Sequence, residues 1–402
     1  METGNGSHQQ ILQVIQHFDN VFGDPSAAVL NVSPASLMML GDHTHYNEGI
    51  LISACIDKYW IFLIRKRKDD EIYIASADTN EIENFSLKNI DGDNKDSFKL
   101  LKGILKHLRE FGLIKYGFDC VVSSTVPECL GLGSYAAHQV GFLNALKKLY
   151  NLSIDEERLL NIVRKNEFGV IGKISNVAHH YTVQYGKEKK LFFTDLRTYS
   201  HKSLPLRDDK YSIVICDTSE KIVDPQKICN ERIEECEVGV KGLRLYIWGI
   251  KSLRDVELEF LHKHLHMLPR RIFSRILYNV KEKKRTEEAL RGLKRKTMDE
   301  FGKLITQSHW SLVEDYDLSF EENNFLVKES SKISGVISSK TISCSPIRST
   351  FHLVESDKVE EYTKTIKKLY ENKFHSQLKT YVVKLTGGVK KISHKEIEFS
   401  LQ

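Results

Sequence analysis

The 402-residue sequence contains no apolar run near the ~20 residues that cross a bilayer; stretches such as Tyr59 to Ile64 stop at strand length. Its first ten residues, METGNGSHQQ, lack a basic start followed by an apolar stretch, so no signal peptide is expected. Charge of one sign is also lacking: 59 Lys+Arg against 54 Asp+Glu leaves +5, too weak over this length to indicate nucleic-acid binding by itself. There is no low-complexity tract, no Gly/Ser/Pro-rich linker and no repeat of fixed period, which excludes solenoid and propeller architectures. The seven cysteines (Cys55, Cys120, Cys129, Cys216, Cys229, Cys236, Cys344) include no C-x-x-C and read as reduced thiols of a cytoplasmic protein. What is present is ordinary globular material, 41% hydrophobic and 28% charged, long enough for two domains.

Local patterns give an element order. A helix is expected at 7–19, ahead of Phe22-Gly-Asp-Pro25, and mostly strands from Val29 to Ser76, where Ile, Leu, Tyr and Trp runs have strand length. Helical spacing recurs at 97–112, 132–149 and 154–168, with Ser153 as the expected N-cap of the last. Strands are expected at 119–124, 191–195 and 211–217. Residues 225–327 read as mostly helical, followed by strands at 350–354 and 380–385 around a helix at 357–373. Strands with interspersed helices, a helical block and strands again make an α+β protein in two lobes. The polar, Pro-containing stretch His201 to Asp209 marks the boundary.

Three basic runs, Arg65 to Lys68, Lys281 to Arg285 and Lys294 to Lys296, could touch phosphate, but nearby acids and few aromatics favour solvated surface. Two segments carry more chemistry. Val126 to Ala137 follows a strand and opens a helix, and contains Gly131, Leu132, Gly133 and Ser134. Glycines let a backbone approach a ligand, and free N–H groups at a helix N-terminus favour phosphate. Ser134 could add a hydroxyl to phosphate or Mg²⁺; a tight strand-to-helix turn is the plainer reading. The second segment, Leu40 to Gly49, packs Asp42, His43, His45, Asn47 and Glu48 between strands. Such a cluster suits sugar hydroxyls. A metal site on His43 and His45 lacks a third ligand, and no structural metal is expected.

These segments resemble those of galactokinases, in the GHMP small-molecule kinase superfamily. The family text F-G-x-P, then A-P-G-R-V-N-L-I-G-E-H-T-D-Y-N-x-G, is similar to Phe22 to Pro25 and to Ser33 to Gly49. The phosphate loop P-x-x-x-G-L-G-S-S-A-A is similar to Pro127 to Ala137. Asn230 to Val240 resembles N-x-R-R-x-E-C-E-x-G-V, and Leu253 to Val256, Ser308-His309, Ser311-Leu312 and Asp315-Tyr316 resemble L-R-D-V and S-H-x-S-L-x-x-D-Y. The resemblance spans about residues 15 to 390. It implies an N-terminal, ribosomal-protein-like lobe at 1–205 and a C-terminal, ferredoxin-like lobe at 206–402. Mg·ATP and galactose or a related sugar would meet between them, for phosphoryl transfer to the anomeric hydroxyl. Nucleotide would rest on Gly131, Leu132, Gly133 and Ser134, with Ser134 on Mg²⁺, and sugar on Asp42, His43 and His45.

The departures fall on the chemistry. Ser36 stands where the family has an arginine that steadies transferring charge. In the best register, Lys173-Ile-Ser-Asn-Val177, Asn176 stands at the catalytic aspartate, and no Asp or Glu lies between Glu167 and Glu188. Asn cannot accept a proton at neutral pH. Asp42 replaces a Glu, His45 an Asp, and Cys229 a tyrosine. The family's S-R-M-T-G-G-G-F-G-G-C reads Ser339 to Ser349 here, with all five glycines substituted. Loss of a base typically costs ~10²–10⁴ in rate and loss of an electrostatic stabiliser ~10²–10³. The expectation is a galactokinase-like pseudokinase acting through residual sugar or ATP binding or a protein partner. The alternative is an active sugar kinase with a base-independent mechanism.

Overall fold

The structure, a computed structural model, describes residues 5–90, 98–172, 176–205, 210–263, 268–295, 298–343 and 345–392. Lys173 to Ser175 of the Asn176 register, residues 206–209 of the expected boundary, Lys296 of the last basic run and Cys344 of the substituted glycine motif lie outside the described residues.

Helix α1 (Asn5–Phe22) leads into β1 (Val29–Leu40), β2 (Ile50–Lys66), β3 (Glu71–Ser76) and β4 (Ile82–Ser86). Next come α2 (Lys99–Glu110), β5 (Phe118–Ser124), α3 (Ser134–Leu149), α4 (Glu156–Ile171), α5 (Val177–Tyr185), β6 (Lys190–Asp195) and β7 (His201–Pro205). The second half runs through β8 (Tyr211–Lys221), α6 (Pro225–Leu243), α7 (Leu258–Lys263), α8 (Arg270–Arg295), α9 (Met298–Glu314) and α10 (Glu321–Ser330). It closes with β9 (Val336–Thr341), β10 (Ile347–Glu355), α11 (Val359–Phe374), β11 (Lys379–Val383) and β12 (Lys390–Ile392).

The first sheet has the order β12-β1-β2-β5-β3-β4, with β6 also on β2 and β7 on β6. Its spine is the antiparallel β1–β2 pair, in register from Val29↔Ile64 to Leu40↔Ile52 with two irregularities. One face takes α2 to α5. Helix α2 shows why: Leu101, Ile104, Leu105 and Leu108 recur at helical spacing and are all fully buried against the sheet. The second sheet, β11-β8-β10-β9, is antiparallel throughout. Renumbered within itself this is the 4-1-3-2 order of a β-α-β-β-α-β unit, with the helices of the second half inserted after its first strand. A shared core of Leu37, Met39, Ile52, Ile215, Phe301 and Phe351 fills the space where the two sheets face each other.

The α+β expectation holds, and most elements fall near their expected positions. One local reading is corrected. Asp155, not Ser153, caps α4: its side chain accepts from Arg158 N at 2.7 Å, because Ile154 is drawn into the core and the helix starts two residues later. Within the expected boundary stretch, His201 to Pro205 form a strand paired with β6.

Candidate active site

Three elements converge on one cavity of about 360 Å³. The first is the β1–β2 turn. Gly41 adopts φ +92, and a Cβ there would lie 2.4 Å from Ile50 O, so the turn needs glycine. His43 and Glu48 both take left-handed backbone at φ 57. Contacts from the second half hold this unusual path: Glu282 accepts from Gly41 N at 2.9 Å and from Ser308 Oγ at 2.8 Å, and Tyr278 Oη donates to Asp42 O at 2.9 Å. Arg254 donates to Glu48 O and to Asp195, each at 2.8 Å.

The second element is the phosphate-loop candidate. Leu130 and Leu132 are buried in the shared core and pin it down. Gly131 (φ +71) and Gly133 (φ +63) turn the chain so that Gly133 caps α3. Ser134 Oγ accepts from Trp60 Nε1 at 3.0 Å. The third element is the start of α5, where Asn176 is the N-cap, its Oδ1 accepting from Ala178 N at 3.2 Å. Asp42, His43, His45, Gly131, Leu132, Gly133, Ser134 and Asn176 all line the cavity. Ser36 lies just behind it, fully buried on β1.

Several groups lie outside the sequence expectations. Lys340, on β9 within the substituted glycine motif, is fully buried and donates to Asp42 Oδ2 and, at 3.1 Å, to Met39 O. Burial raises the Asp42 carboxyl above its ordinary value against the pull of Lys340. Asp42 is thus an internal counter-ion as well as a cavity residue. Ser36 Oγ meets His179 Nδ1 at 2.8 Å, and His180 Nε2 meets Glu167 at 2.9 Å; His179, His180 and Glu167 all line the cavity. In the sequence these groups are announced only by the adjacent His179-His180 pair.

Three of the cavity imidazoles are held toward the neutral form by burial. Burial holds His43 well below its ordinary value, brings His45 down to about 3 and His179 to about 4. His45 Nδ1 is buried without a hydrogen-bond partner. Its ring lies edge-on to Tyr46, whose hydroxyl reaches His43 at 3.3 Å and also bonds Tyr316. Among the described lining residues there is no Lys or Arg, so charge on a phosphate would meet the α3 N-terminus instead. His43 and His45 sit with ring centres 6.5 Å apart, and among the described residues no group of three or more His, Cys, Asp or Glu is placed to hold a metal ion.

The glycine-motif replacement has become the β9–β10 hairpin. None of its described residues takes positive φ. Ser345 Oγ donates to Cys129 O at 2.6 Å and Ile347 N to the same oxygen at 3.2 Å, so the hairpin rests on the phosphate loop. Two basic runs are committed internally: Arg65 and Arg67 pair with Asp119, Lys281 with Asp315, and Arg285 with Glu282. The reading of these runs as solvated surface is therefore corrected for Arg285, which is buried at its ion pair. No helix among the described residues is long and apolar enough to cross a membrane.

Residues 16–66 match the galactokinase galactose-binding signature and residues 99–186 the GHMP kinases N terminal domain. A galactokinase of Pyrococcus furiosus is 30% identical over 357 residues, covering 89% of this chain and 97% of the relative. A galactokinase of Roseiflexus sp. is 27% identical over 360 residues, covering 90% and 92%. In fold the chain is similar to Lactococcus lactis galactokinase complexed with galactose, at TM-score 0.88 and 24% identity over 95% of this chain and all of that one. It is less similar to Methanococcus jannaschii mevalonate kinase, at TM-score 0.64 and 18% identity over 89% and 98%. With its two-sheet architecture, its glycine-opened helix and these matches along nearly its whole length, the chain belongs to the galactokinase family of the GHMP kinases.

Proposed function

We propose that this protein is an ATP-dependent sugar kinase that phosphorylates galactose or a related sugar at the anomeric hydroxyl, by positioning rather than by a general base. The observation that carries this reading is the joint lining of one cavity by the glycine loop and the β1–β2 turn. Phosphates would fit the loop through backbone: Gly131 and Gly133 present no side chain, and Ser134, Tyr135 and Ala136, in the first turn of α3 where helix N–H groups lack intrahelical partners, line the cavity. The Ser134 oxygen could also hold Mg²⁺, which would supply neutralisation of the nucleotide's negative charge. Sugar hydroxyls would find His43, His45 and Tyr46 on the opposite wall.

Chemistry without a base is feasible in phosphoryl transfer, where positioning and charge neutralisation carry most of the catalysis. Well-oriented reactants alone supply ~7–11 kcal/mol of a barrier. A second reading, a catalytically impaired member acting through residual binding or a protein partner, is favoured by Ser36 and Asn176 and by the commitment of Asp42 to Lys340. A coupled assay of ADP release over a sugar panel, run beside a calorimetric titration with Mg·ATP, separates them. Sugar-dependent turnover supports the kinase. Nucleotide or sugar binding without turnover supports the impaired member. Absence of both ends both readings of the cleft.

A further inference from the structure

Ser36, which stands where the resemblance puts the family's arginine, is bonded to His179. Three observations define the pair. The Ser36 hydroxyl is fully buried, and among the described residues its hydrogen-bond partner is His179 Nδ1, at 2.8 Å. Ser36 N donates to Leu132 O at 2.9 Å, tying the same residue to the phosphate loop. A Cβ built on Gly133 would lie 2.4 Å from Ser36 Oγ and 2.6 Å from His179 Nδ1, so the pair rests directly against the glycine that opens α3.

The hydrogen bond fixes the tautomer. A serine hydroxyl carries one proton, and a buried donor without an acceptor is costly. If Nδ1–H donated to Ser36 Oγ, the hydroxyl proton would have no acceptor among the described residues. Ser36 therefore donates to Nδ1, and the ring proton sits on Nε2. Among the described residues Nε2 has no hydrogen-bond partner, and it is not among the buried unpartnered atoms, so it is reached from the cavity that His179 lines. Burial keeps the ring neutral at physiological pH, with its pKa brought down to about 4.

We infer that His179, oriented by Ser36, donates a hydrogen bond from Nε2–H to the transferring phosphoryl group, taking over as a neutral donor part of the work done elsewhere in the family by a cation. This rests on the kinase reading above. In the step it serves, the sugar's anomeric oxygen forms the new O–P bond. The bond from the γ-phosphorus to ADP breaks, with its electron pair leaving on ADP. The hydroxyl proton passes to an oxygen of the transferred phosphoryl group. His179 keeps its own proton and forms no covalent bond. Ser36 is a positioning residue: it selects the tautomer that donates. A preorganised donor aimed at developing charge contributes most once bound substrate displaces water from the site.

The test uses full-length protein and two readouts: sugar-dependent turnover, and calorimetric affinity for ADP with aluminium fluoride, a mimic of the transferring phosphoryl, against affinity for ATP. His179→Ala should lower kcat by ~10²-fold and weaken binding of the mimic far more than binding of ATP. His179→Gln, which returns an amide N–H near Nε2, should recover part of both. Ser36→Ala should lower kcat in the same direction by less, with the sugar KM unchanged, and Ser36→Thr should restore it. Thermal melts check that each variant is folded. A His179→Ala protein that is folded, turns over at the wild-type rate and binds the mimic as wild type does would overturn the inference and leave the kinase reading standing. Wild-type protein that neither turns over nor binds the mimic would overturn both.

Discussion

Lys340 and Asp42 are 298 residues apart in the chain and form a buried ion pair at the cavity wall. Both side chains are buried, so losing either partner leaves a polar group in the interior without its counterpart. Removing one partner of such a pair costs ~3–5 kcal/mol, whereas replacing both by neutral groups of similar shape costs far less. Lys340→Met should accordingly destabilise the protein by about that much, and Asp42→Asn combined with Lys340→Met should recover most of it. Denaturant midpoints of both single variants and the double variant decide; a double-variant loss equal to the sum of the single losses would mean that the two act independently. The sequence marked Asp42 as a sugar contact and Lys340 as one letter in a ruined glycine motif. Their pairing was not legible, because it joins β9 to the β1–β2 turn across the two sheets. The same distance hid Ser36 from His179. Asn176, by contrast, is held by a local interaction, as the N-cap of α5.

Elements were more readable than partners. Periodicity located α2 and α3 to within about two residues, and the glycines announced the start of α3. What failed were choices between neighbours a residue or two apart. Ser153 and Asp155 are both good N-cap types, and only packing of Ile154 into the core decides between them. Asp155→Ala should therefore cost about 1 kcal/mol of stability, while Ser153→Ala should leave the melting temperature within error. The reverse ranking in thermal melts would place the helix start at Ser153 after all. The strand β7 was missed for a related reason. His201 to Pro205 is a short, polar run on the far side of β6, where one face meets solvent and apolar alternation is not required.

Over the whole molecule, histidines are an unusual store of acid sensitivity. His138, His309 and His352 are buried, and each is brought down to about 3 by desolvation. His352 sits between Thr350 and Ser339, His309 beside Thr341, and His138 against Trp60. In the unfolded chain each would titrate at the ordinary value of about 6.5. Below that value the unfolded state binds protons that the folded state refuses, so the stability these residues contribute is complete above pH 6.5. It is lost progressively as the pH falls toward 3. Three protons correspond to a slope of about 4 kcal/mol per pH unit once the unfolded histidines are charged. Melting temperature should hold from pH 8 to 7 and fall steeply between pH 6 and 5; a flat profile across that interval would show that these rings are charged in the folded protein.

The return of the last described strand to the first sheet has a consequence for how the chain is made. Strand β12 covers the outer edge of β1, pairing Leu30 with Ile392 and Val32 with Lys390, after the chain has completed the second sheet with β11. During synthesis the ribosome delivers β1 long before β12, which follows β11. Until then β1 presents an open row of peptide groups along an apolar strand, an invitation to pair with another nascent chain. The helices of the first half can settle on their sheet while the rest emerges, but its border is sealed only when residue 392 has left the exit tunnel. A gene cut into its two halves would leave that border open in the first product, and the strand that closes it on the second.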